Sequence, residues 1–215
     1  MQFEMVDKVC IFCARRNSGK SQLLKYLVGQ YRDKWEKIYV ISPTEKVNLF
    51  YKKAGLADDN TIFETYEEDW IQSLISKLTL LNANKPEEER KKCLIIMDDI
   101  AADAQLHLSK ALKVLTARGR HISCSIVITI QSLTMIPPIL RQNADFVFLG
   151  QLNNASLNIA CDEYLAGNLD KKGFIEMYRK HTGDYKFLIV NQNSIKDTNN
   201  LNLIFGTIKT PPEFL

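Results

Sequence analysis

The sequence predicts an α/β fold in which a mainly parallel, twisted sheet is sandwiched between helices. Short apolar runs, which are typical of buried strands, alternate along the chain with amphipathic stretches, which are typical of helices. The 215 residues suffice to bury a sizeable core, and 46% hydrophobic with 25% charged residues is ordinary for a globular protein. We therefore expect one domain over residues 1–215, with no internal repeat and no linker.

The expected strands are short apolar runs that end at polar residues or at turn residues. The second of them, for example, ends at Pro43, and the fourth runs without a polar residue into a pair of acids. An uninterrupted apolar run is typical of a parallel strand buried on both faces. The expected strands cover residues 8–13, 37–42, 61–64, 93–97, 125–130, 145–149, 185–191 and 203–206.

The expected helices are longer stretches whose apolar residues recur every three or four positions. In the second of them, Trp70, Leu74 and Leu78 fall on one face. The very polar stretch 82–92 that follows is expected to be a solvated loop. The expected helices cover residues 20–31, 67–81, 103–118, 154–165 and 170–181.

Charge, hydropathy and cysteine usage narrow the class of protein only in part. The net charge of +3 permits contact with nucleic acid without requiring it. No apolar run approaches the ~20 residues that cross a bilayer, and the N-terminal residues lack the layout of a signal peptide. Cys10 and Cys13 have Cys-x-x-Cys spacing, but on a strand they point to opposite faces. We therefore expect free thiols of a reducing compartment rather than a zinc site or disulfides.

A phosphate-binding loop is predicted directly after the first strand. The sequence Gly19-Lys20-Ser21 ends this turn, and an amphipathic stretch begins at once, which is the required strand–loop–helix context. Backbone N–H groups and a helix N-terminus would form the anion site, Lys20 would reach the outer phosphates, and the Ser21 hydroxyl would bind Mg²⁺. The alternative is a basic turn before an ordinary helix. The predicted nucleotide-binding residues are Ala14, Arg15, Arg16, Asn17, Ser18, Gly19, Lys20, Ser21 and Gln22.

A second nucleotide motif is predicted where the fourth strand ends in Asp98 and Asp99. A buried strand would deliver Asp98 to Mg²⁺ opposite the loop, and Asp99 would orient or deprotonate the attacking water. The neighbouring strand ends in Gln131, which would contact the γ-phosphate and its water. The alternatives are that the two acids end a strand and cap a helix, and that Gln131 is an ordinary polar residue after a strand.

With these residues in place, the chain resembles the FtsK–HerA superfamily of RecA-like phosphate-loop motor ATPases. More narrowly, it resembles the genome-packaging ATPases of membrane-containing double-stranded DNA viruses, of the poxvirus, giant-virus and virophage types. The resemblance spans residues 8–150, about two-thirds of the chain. Residues 151–215 carry no matching motif. The segments that carry the resemblance are 14–21, 94–99, 118–123 with Gln131 and Ser132, and 136–145.

This resemblance implies a ring of five or six copies that hydrolyses ATP with Mg²⁺ and moves double-stranded DNA. It implies that Arg118 or Arg120 acts on the phosphate of the neighbouring subunit, although an arginine at a helix end can also serve the helix dipole. The implied partners are capsid or inner-membrane vertex proteins, and the implied location is the viral factory of the host cytoplasm or the virion. The sequence departs from the family pattern at Ala14, where Gly is usual, and at Asp99, where Glu is frequent.

Four other functions fit parts of the sequence. A conjugation, plasmid or repair motor shares the motifs, but such motors usually carry further domains. A nucleotide kinase would carry an Arg-rich lid, whereas residues 151–215 hold only Arg179. A GTPase is suggested by Asn84-Lys85-Pro86-Glu87, but the fourth position is wrong and no Asp-x-x-Gly follows Asp98. A non-enzymatic interaction module would lack the key residues, which are all present.

Overall fold

A computed structural model describes residues 3–100, 108–166, 169–195 and 198–214. The described residues form an eight-stranded sheet with helices on both faces, as expected. The strand order is β3-β2-β4-β5-β1-β6-β7-β8; all neighbours up to β6 are parallel, and β7 and β8 are antiparallel to their neighbours. The strands are β1 (Val9–Cys13), β2 (Lys37–Ile41), β3 (Ile62–Phe63), β4 (Cys93–Asp98), β5 (Cys124–Ile130), β6 (Phe146–Leu149), β7 (Lys186–Asn191) and β8 (Phe205–Lys209).

Helices connect the parallel strands, and side chains cap several of them. Ser109, Asn153 and Asp170 each accept a hydrogen bond from a backbone N–H of the first helical turn, which fixes where the helix begins. The helices are α1 (Lys20–Gln30), α2 (Glu45–Asn48), α3 (Phe50–Lys53), α4 (Glu68–Asn82), α5 (Lys110–Arg118), α6 (Pro138–Gln142), α7 (Asn154–Tyr164), α8 (Lys171–His181), α9 (Gln192–Ile195) and α10 (Leu201–Ile204).

The structure corrects the sequence prediction in three places. The last strand begins at Phe205, because the Asn200 side chain caps the short helix α10 over much of the expected strand. The helix expected over 103–118 begins at Lys110 after its cap; residues 101–107 lie outside the described part of the chain. The short helices α2, α3, α6, α9 and α10 were not predicted, since four or five residues carry too little periodicity to detect.

The stretch 82–92 is not simply a solvated loop, because Asn82 anchors it. Asn82 is buried at the end of α4, and its amide nitrogen donates to the carbonyls of Lys91 and Ile122, each at 3.0 Å. Its amide oxygen accepts from the Lys91 N–H at 2.8 Å. A buried amide with all these partners ties the polar stretch to the sheet.

The core consists of two hydrophobic clusters, one on each face of the sheet. Alternate residues of β1 belong to different clusters: Ile11 and Cys13 to one, Cys10 and Phe12 to the other. This confirms that the two cysteines point to opposite faces. All five cysteines carry free, buried thiols. None of the helices in the described ranges has the length and hydropathy needed to span a membrane.

The centre of the sheet positions the site. Strands β4, β5 and β1 are neighbours and run parallel, so their carboxyl ends meet at one edge. In the register, Asp98 lies opposite Thr129, and Cys13 lies opposite Ile130. The loop after β1, the acids after β4 and the polar end of β5 therefore come together, which is where ligands bind in open α/β sheets.

Candidate functional site

A cleft of about 430 Å³ opens at this edge of the sheet. The phosphate loop forms one side of it, the ends of β4 and β5 form the other, and the segment after β2 completes the wall. The lining residues are Arg16, Asn17, Ser18, Gly19, Lys20, Ser21, Gln22, Thr44, Glu45, Asn48, Phe50, Asp98, Asp99, Thr129 and Gln131.

The loop leaves the first turn of α1 open to an anion. Gly19 precedes α1 with a φ of 80°, in the left-handed region that glycine adopts without strain. No side chain caps this helix, and its first turn carries no acidic residue. The N–H groups of the turn and the positive end of the helix dipole thus face the cleft without a competing partner from α1 itself.

Lys20 is held between the loop and two carboxylates. Its Nζ atom donates to the Ala14 carbonyl at 3.0 Å, which folds the side chain back across the loop. Burial lowers the pKa of Lys20, and the nearby carboxylates Asp98 and Asp99 partly offset this effect. Lys20 therefore lies between the loop and the acids, where both phosphate oxygens and carboxylates can stabilise its charge.

Ala14 and Arg15 do not line the cleft. Ala14 is fully buried beneath the loop, and its N–H donates to the Ile130 carbonyl at 3.1 Å. Arg15 is exposed, and its N–H donates to the Gln151 carbonyl at 2.9 Å. These bonds join the loop to the ends of β5 and β6, so both residues shape the loop from behind.

Gly150 explains how the loop accepts alanine at its first position. A Cβ atom on Gly150 would lie 2.7 Å from the Ala14 Cβ and 2.7 Å from a ring carbon of Phe187. Any side chain at position 150 would have to displace both groups, because 2.7 Å is far inside van der Waals contact. The Ala14 methyl group fills the space that a glycine at the head of the loop would leave empty.

Thr129 connects the two predicted acids. Its hydroxyl donates to Asp98 Oδ1 and accepts from the Asp99 N–H at 3.2 Å. Burial raises the pKa of Asp98, while the hydroxyls of Thr129 and Tyr51 and the charge of Lys20 act in the opposite direction. Sequence analysis missed Thr129, although a hydroxyl near the end of an otherwise apolar strand is a signal that could have identified it.

Asp99 and Gln131 are in direct contact. The Gln131 Nε2 atom donates to Asp99 Oδ1 at 2.8 Å. The structure therefore brings together the two residues predicted to contact the attacking water. Asp99 has a φ of 56°, a left-handed conformation that Asp tolerates better than most residues. This sharp turn after β4 directs the second carboxylate towards the end of β5.

The segment between β2 and α3 was also missed as part of the site. Thr44, Glu45, Asn48 and Phe50 line the cleft, yet they match no nucleotide motif. Glu45 is only 2% exposed, and its Oε1 atom accepts from the N–H of Tyr51 at 2.8 Å. In the sequence, an acid two residues after a strand-ending proline is only a weak indication of a site residue. Glu45 becomes part of the cleft wall because β2 lies next to β4 in the sheet.

Arg118 and Arg120 lie outside the cleft. Both are exposed, and neither forms an ion pair with a residue in the described ranges. They precede β5, whereas Gln131 follows it, and seven strand residues separate the two ends by about 20 Å. The arginines therefore lie at the opposite edge of the sheet from the cleft of their own chain.

The segment 136–145, which carries part of the resemblance, is structural in this chain. Arg141 is buried and pairs with Glu163 through two nitrogens, with a shortest distance of 2.6 Å. Its third nitrogen donates to the carbonyls of Leu133 and Ile136. Asp145 accepts from the Val9 N–H at 2.9 Å. The segment holds the turn after Gln131 and the start of β1 in place without lining the cleft.

The parallel sheet, the loop at its carboxyl edge and the opposing acids define a RecA-like phosphate-loop NTPase fold. The chain belongs to the family described as Poxvirus A32 protein, which matches residues 3–205. The family resemblance and the fold class expected from the sequence are thereby confirmed.

Relatives of the chain occur in viruses. It is 29% identical over 194 residues to the uncharacterized protein 075L of Invertebrate iridescent virus 6, covering 87% of this chain and 71% of that protein. It is 25% identical over 187 residues to the uncharacterized protein 015R of Frog virus 3, covering 87% of this chain and 57% of that protein.

Solved structures share the fold. B204, the DNA-packaging ATPase from Sulfolobus turreted icosahedral virus, superposes with a TM-score of 0.67 at 16% identity, covering 96% of this chain and 98% of B204. The pCW3 conjugation coupling protein TcpA, solved with ATPγS, gives 0.60 at 14% identity, covering 85% of this chain and 57% of TcpA. At such identities the likeness concerns the fold alone.

Proposed function

We propose that this protein is an ATP-hydrolysing motor that moves double-stranded DNA into a viral capsid. The observation that carries the proposal is the convergence of the phosphate loop with Asp98, Asp99 and Gln131 in one cleft. Family membership and the shared fold of the packaging ATPase B204 support the same conclusion. ATP would be the substrate, with its phosphates on the loop N–H groups and on Lys20.

The residues of the cleft fit Mg²⁺ as well as ATP. Ser21 and Asp98 both line the cleft and offer hydroxyl and carboxylate oxygens, the ligand types that Mg²⁺ takes beside phosphates. When bound, Mg²⁺ would neutralise charge on the phosphate oxygens. Asp99, held by Gln131, would orient the attacking water and accept its proton, and Gln131 would contact the γ-phosphate.

The proposed machine is a homo-oligomeric ring of five or six copies. Arg118 and Arg120 are exposed and lie at the edge of the sheet opposite their own cleft, so a head-to-tail contact could deliver one of them to the γ-phosphate of a neighbour. An arginine supplied in this way is worth ~10³–10⁵ in rate in phosphoryl transfer. Capsid or inner-membrane vertex proteins would hold the ring, in the viral factory of the host cytoplasm or on the virion.

Duplex-dependent ATP hydrolysis tests the proposal. We expect hydrolysis to rise more than linearly with protein concentration and to rise on addition of duplex DNA, with ring formation followed by light scattering. Lys20→Ala should abolish hydrolysis and weaken ATP binding, because it removes the cation of the phosphate site. Lys77→Ala, which removes an exposed lysine on α4 far from the cleft, should behave as the wild type. Near wild-type turnover by Lys20→Ala would reject the phosphate-loop assignment.

Mixing variants tests the shared site. Lys20→Ala and the double variant Arg118→Ala/Arg120→Ala should each be inactive, whereas their mixture should recover activity, since some interfaces pair an intact loop with an intact arginine. Full activity of a strictly monomeric sample, or no recovery despite confirmed co-assembly, would reject the ring.

A conjugation-type DNA motor is the second candidate, and the shared fold of the coupling protein TcpA is the observation that favours it. Membership of the poxvirus family favours packaging.

A further inference from the structure

Tyr51 has a buried hydroxyl that the proposed chemistry has not used. Its side chain is 1% exposed, and its hydroxyl makes no hydrogen bond with a described residue. Leaving a buried hydroxyl without a partner costs free energy that folding must offset elsewhere. Such a group in a well-packed core calls for an explanation, and its position beside the cleft supplies one.

The local backbone aims Tyr51 at the acid side of the cleft. Leu49 adopts a φ of 51°, a left-handed conformation that turns the chain sharply between α2 and α3. Glu45 Oε1 then accepts from the N–H groups of Tyr51 and Lys52 at 2.8 and 2.9 Å, which fixes the first turn of α3. Two charge-assisted bonds to the backbone thus fix the position from which the Tyr51 side chain extends.

The Tyr51 hydroxyl lies beside Asp98. Burial raises the pKa of Tyr51, and the adjacent Asp98 carboxylate raises it further. Thr129 reaches Asp98 from β5, whereas Tyr51 approaches it from α3 on the other side of β4. The carboxylate is therefore placed between two hydroxyl groups that come from different elements.

We propose that Tyr51 is a positioning residue of the metal site, whose hydroxyl donates a hydrogen bond to Asp98 and holds this carboxylate in place for Mg²⁺. This inference rests on the proposed function, because it assigns a role at the same ATP and Mg²⁺ site. The hydrogen bond to Asp98 would form in the loaded site, since the Tyr51 hydroxyl has no hydrogen-bond partner among the described residues. Tyr51 itself does not line the cleft.

The test measures how much Mg²⁺ strengthens nucleotide binding. A non-hydrolysable ATP analogue is titrated by calorimetry into wild type and Tyr51→Phe, once with Mg²⁺ and once with EDTA. Tyr51→Phe keeps the ring and removes only a hydroxyl without a partner, so its melting temperature should stay near that of wild type. We expect the gain in affinity from Mg²⁺ to fall about tenfold, the worth of one hydrogen bond to a charged group, and the affinity in EDTA to be unchanged.

Tyr164→Phe is the matched control. Tyr164 is also 1% exposed with an unpartnered hydroxyl among the described residues, but it packs in the other hydrophobic cluster, and the charged groups near its hydroxyl are Glu163 and Arg141. It should keep the wild-type gain from Mg²⁺. Three results would overturn the role proposed for Tyr51. The gain in affinity from Mg²⁺ could be unchanged in Tyr51→Phe, or it could fall equally in Tyr164→Phe. The affinity of Tyr51→Phe for the analogue could also fall as much in EDTA as in Mg²⁺. Failure of the wild type to bind the analogue at all would instead reject the nucleotide site itself.

Discussion

The two sides of the cleft are built in different ways. The loop side, residues 16–22, is one contiguous stretch whose binding groups are mostly backbone N–H. The acid side, defined here as Asp98, Asp99, Thr129 and Gln131, joins side chains from the ends of two strands. Its members are linked in a row, from Asp98 through the Thr129 hydroxyl to the Asp99 N–H, and from Asp99 to Gln131.

Each side of the cleft is sensitive to a different kind of substitution. A loop that binds through its backbone depends on local conformation, so most of its side chains can change, with Lys20 and Ser21 as exceptions. A row of partly buried side-chain hydrogen bonds depends on every member, because losing one leaves its neighbours without partners. Substitutions of Asp99, Thr129 and Gln131 should therefore affect chemistry, whereas loss of Lys20 or of Asp98 should affect binding first.

The largest effect that separates the two sides should come from Asp99→Asn. We expect kcat to fall ~10²–10⁴-fold while ATP affinity stays within about threefold, because proton acceptance and water positioning act after binding. Asn tolerates the left-handed backbone at this position, so the turn after β4 should survive. Steady-state hydrolysis and analogue binding measure the two quantities.

Asp98→Asn is the comparison for this experiment, since it should weaken Mg²⁺ and nucleotide binding. Equal loss of ATP affinity in both variants would show that the roles of the two acids are misassigned. A higher rate in Asp99→Glu would indicate that the natural side chain is slightly short for its role.

A smaller effect is expected from Thr129→Val, which breaks the row at its centre. Valine has nearly the same shape but neither donates to Asp98 nor accepts from Asp99, so kcat should fall about tenfold. Thr116→Val is the matched control, because its buried hydroxyl binds the carbonyl of Leu112 in its own helix at 3.0 Å. Both variants should lose some thermal stability, and only Thr129→Val should lose activity. An equal loss of kcat in Thr116→Val would argue against a special role for the row of hydrogen bonds.

The smallest effect concerns stability without nucleotide. Because burial raises the pKa of Asp98, folding disfavours its charged form, and this cost is present above the folded pKa and disappears as pH falls below the unfolded value. Asp98→Asn should therefore raise the melting temperature by a few degrees at neutral pH and by less in acid. Thermal scans over a pH series measure the difference. A variant that melts below wild type at neutral pH would mean that the carboxylate stabilises the empty cleft.

The sequence predicted those parts of the fold and site that local pattern determines. Strand β1, the loop and α1 are contiguous, and β4 with its two acids is a single apolar run with a polar end. The expectation that Asp98 and Gln131 would meet the loop followed from the parallel order of the strands, and the structure places them there.

What the sequence did not predict depends on contacts between distant segments. Glu45 and Tyr51 belong to helices of four residues, and their importance arises only because β2 lies next to β4. Likewise, Asn82 is a polar residue beside a polar stretch, and nothing local indicates that its amide will donate to the Ile122 carbonyl. Specific long-range hydrogen bonds leave no periodic signal in the chain.

The close approach of the loop, Gly150 and Phe187 leaves position 150 no room for a side chain. A Cβ atom there would meet the Ala14 methyl group and the Phe187 ring, each at 2.7 Å, so a glycine at the head of the loop would remove only one of the two clashes. Position 150 should therefore stay glycine whichever of the two residues the loop carries at its head. The departure at position 14 is accommodated by a glycine 136 residues away, which keeps the space behind the loop free for the methyl group.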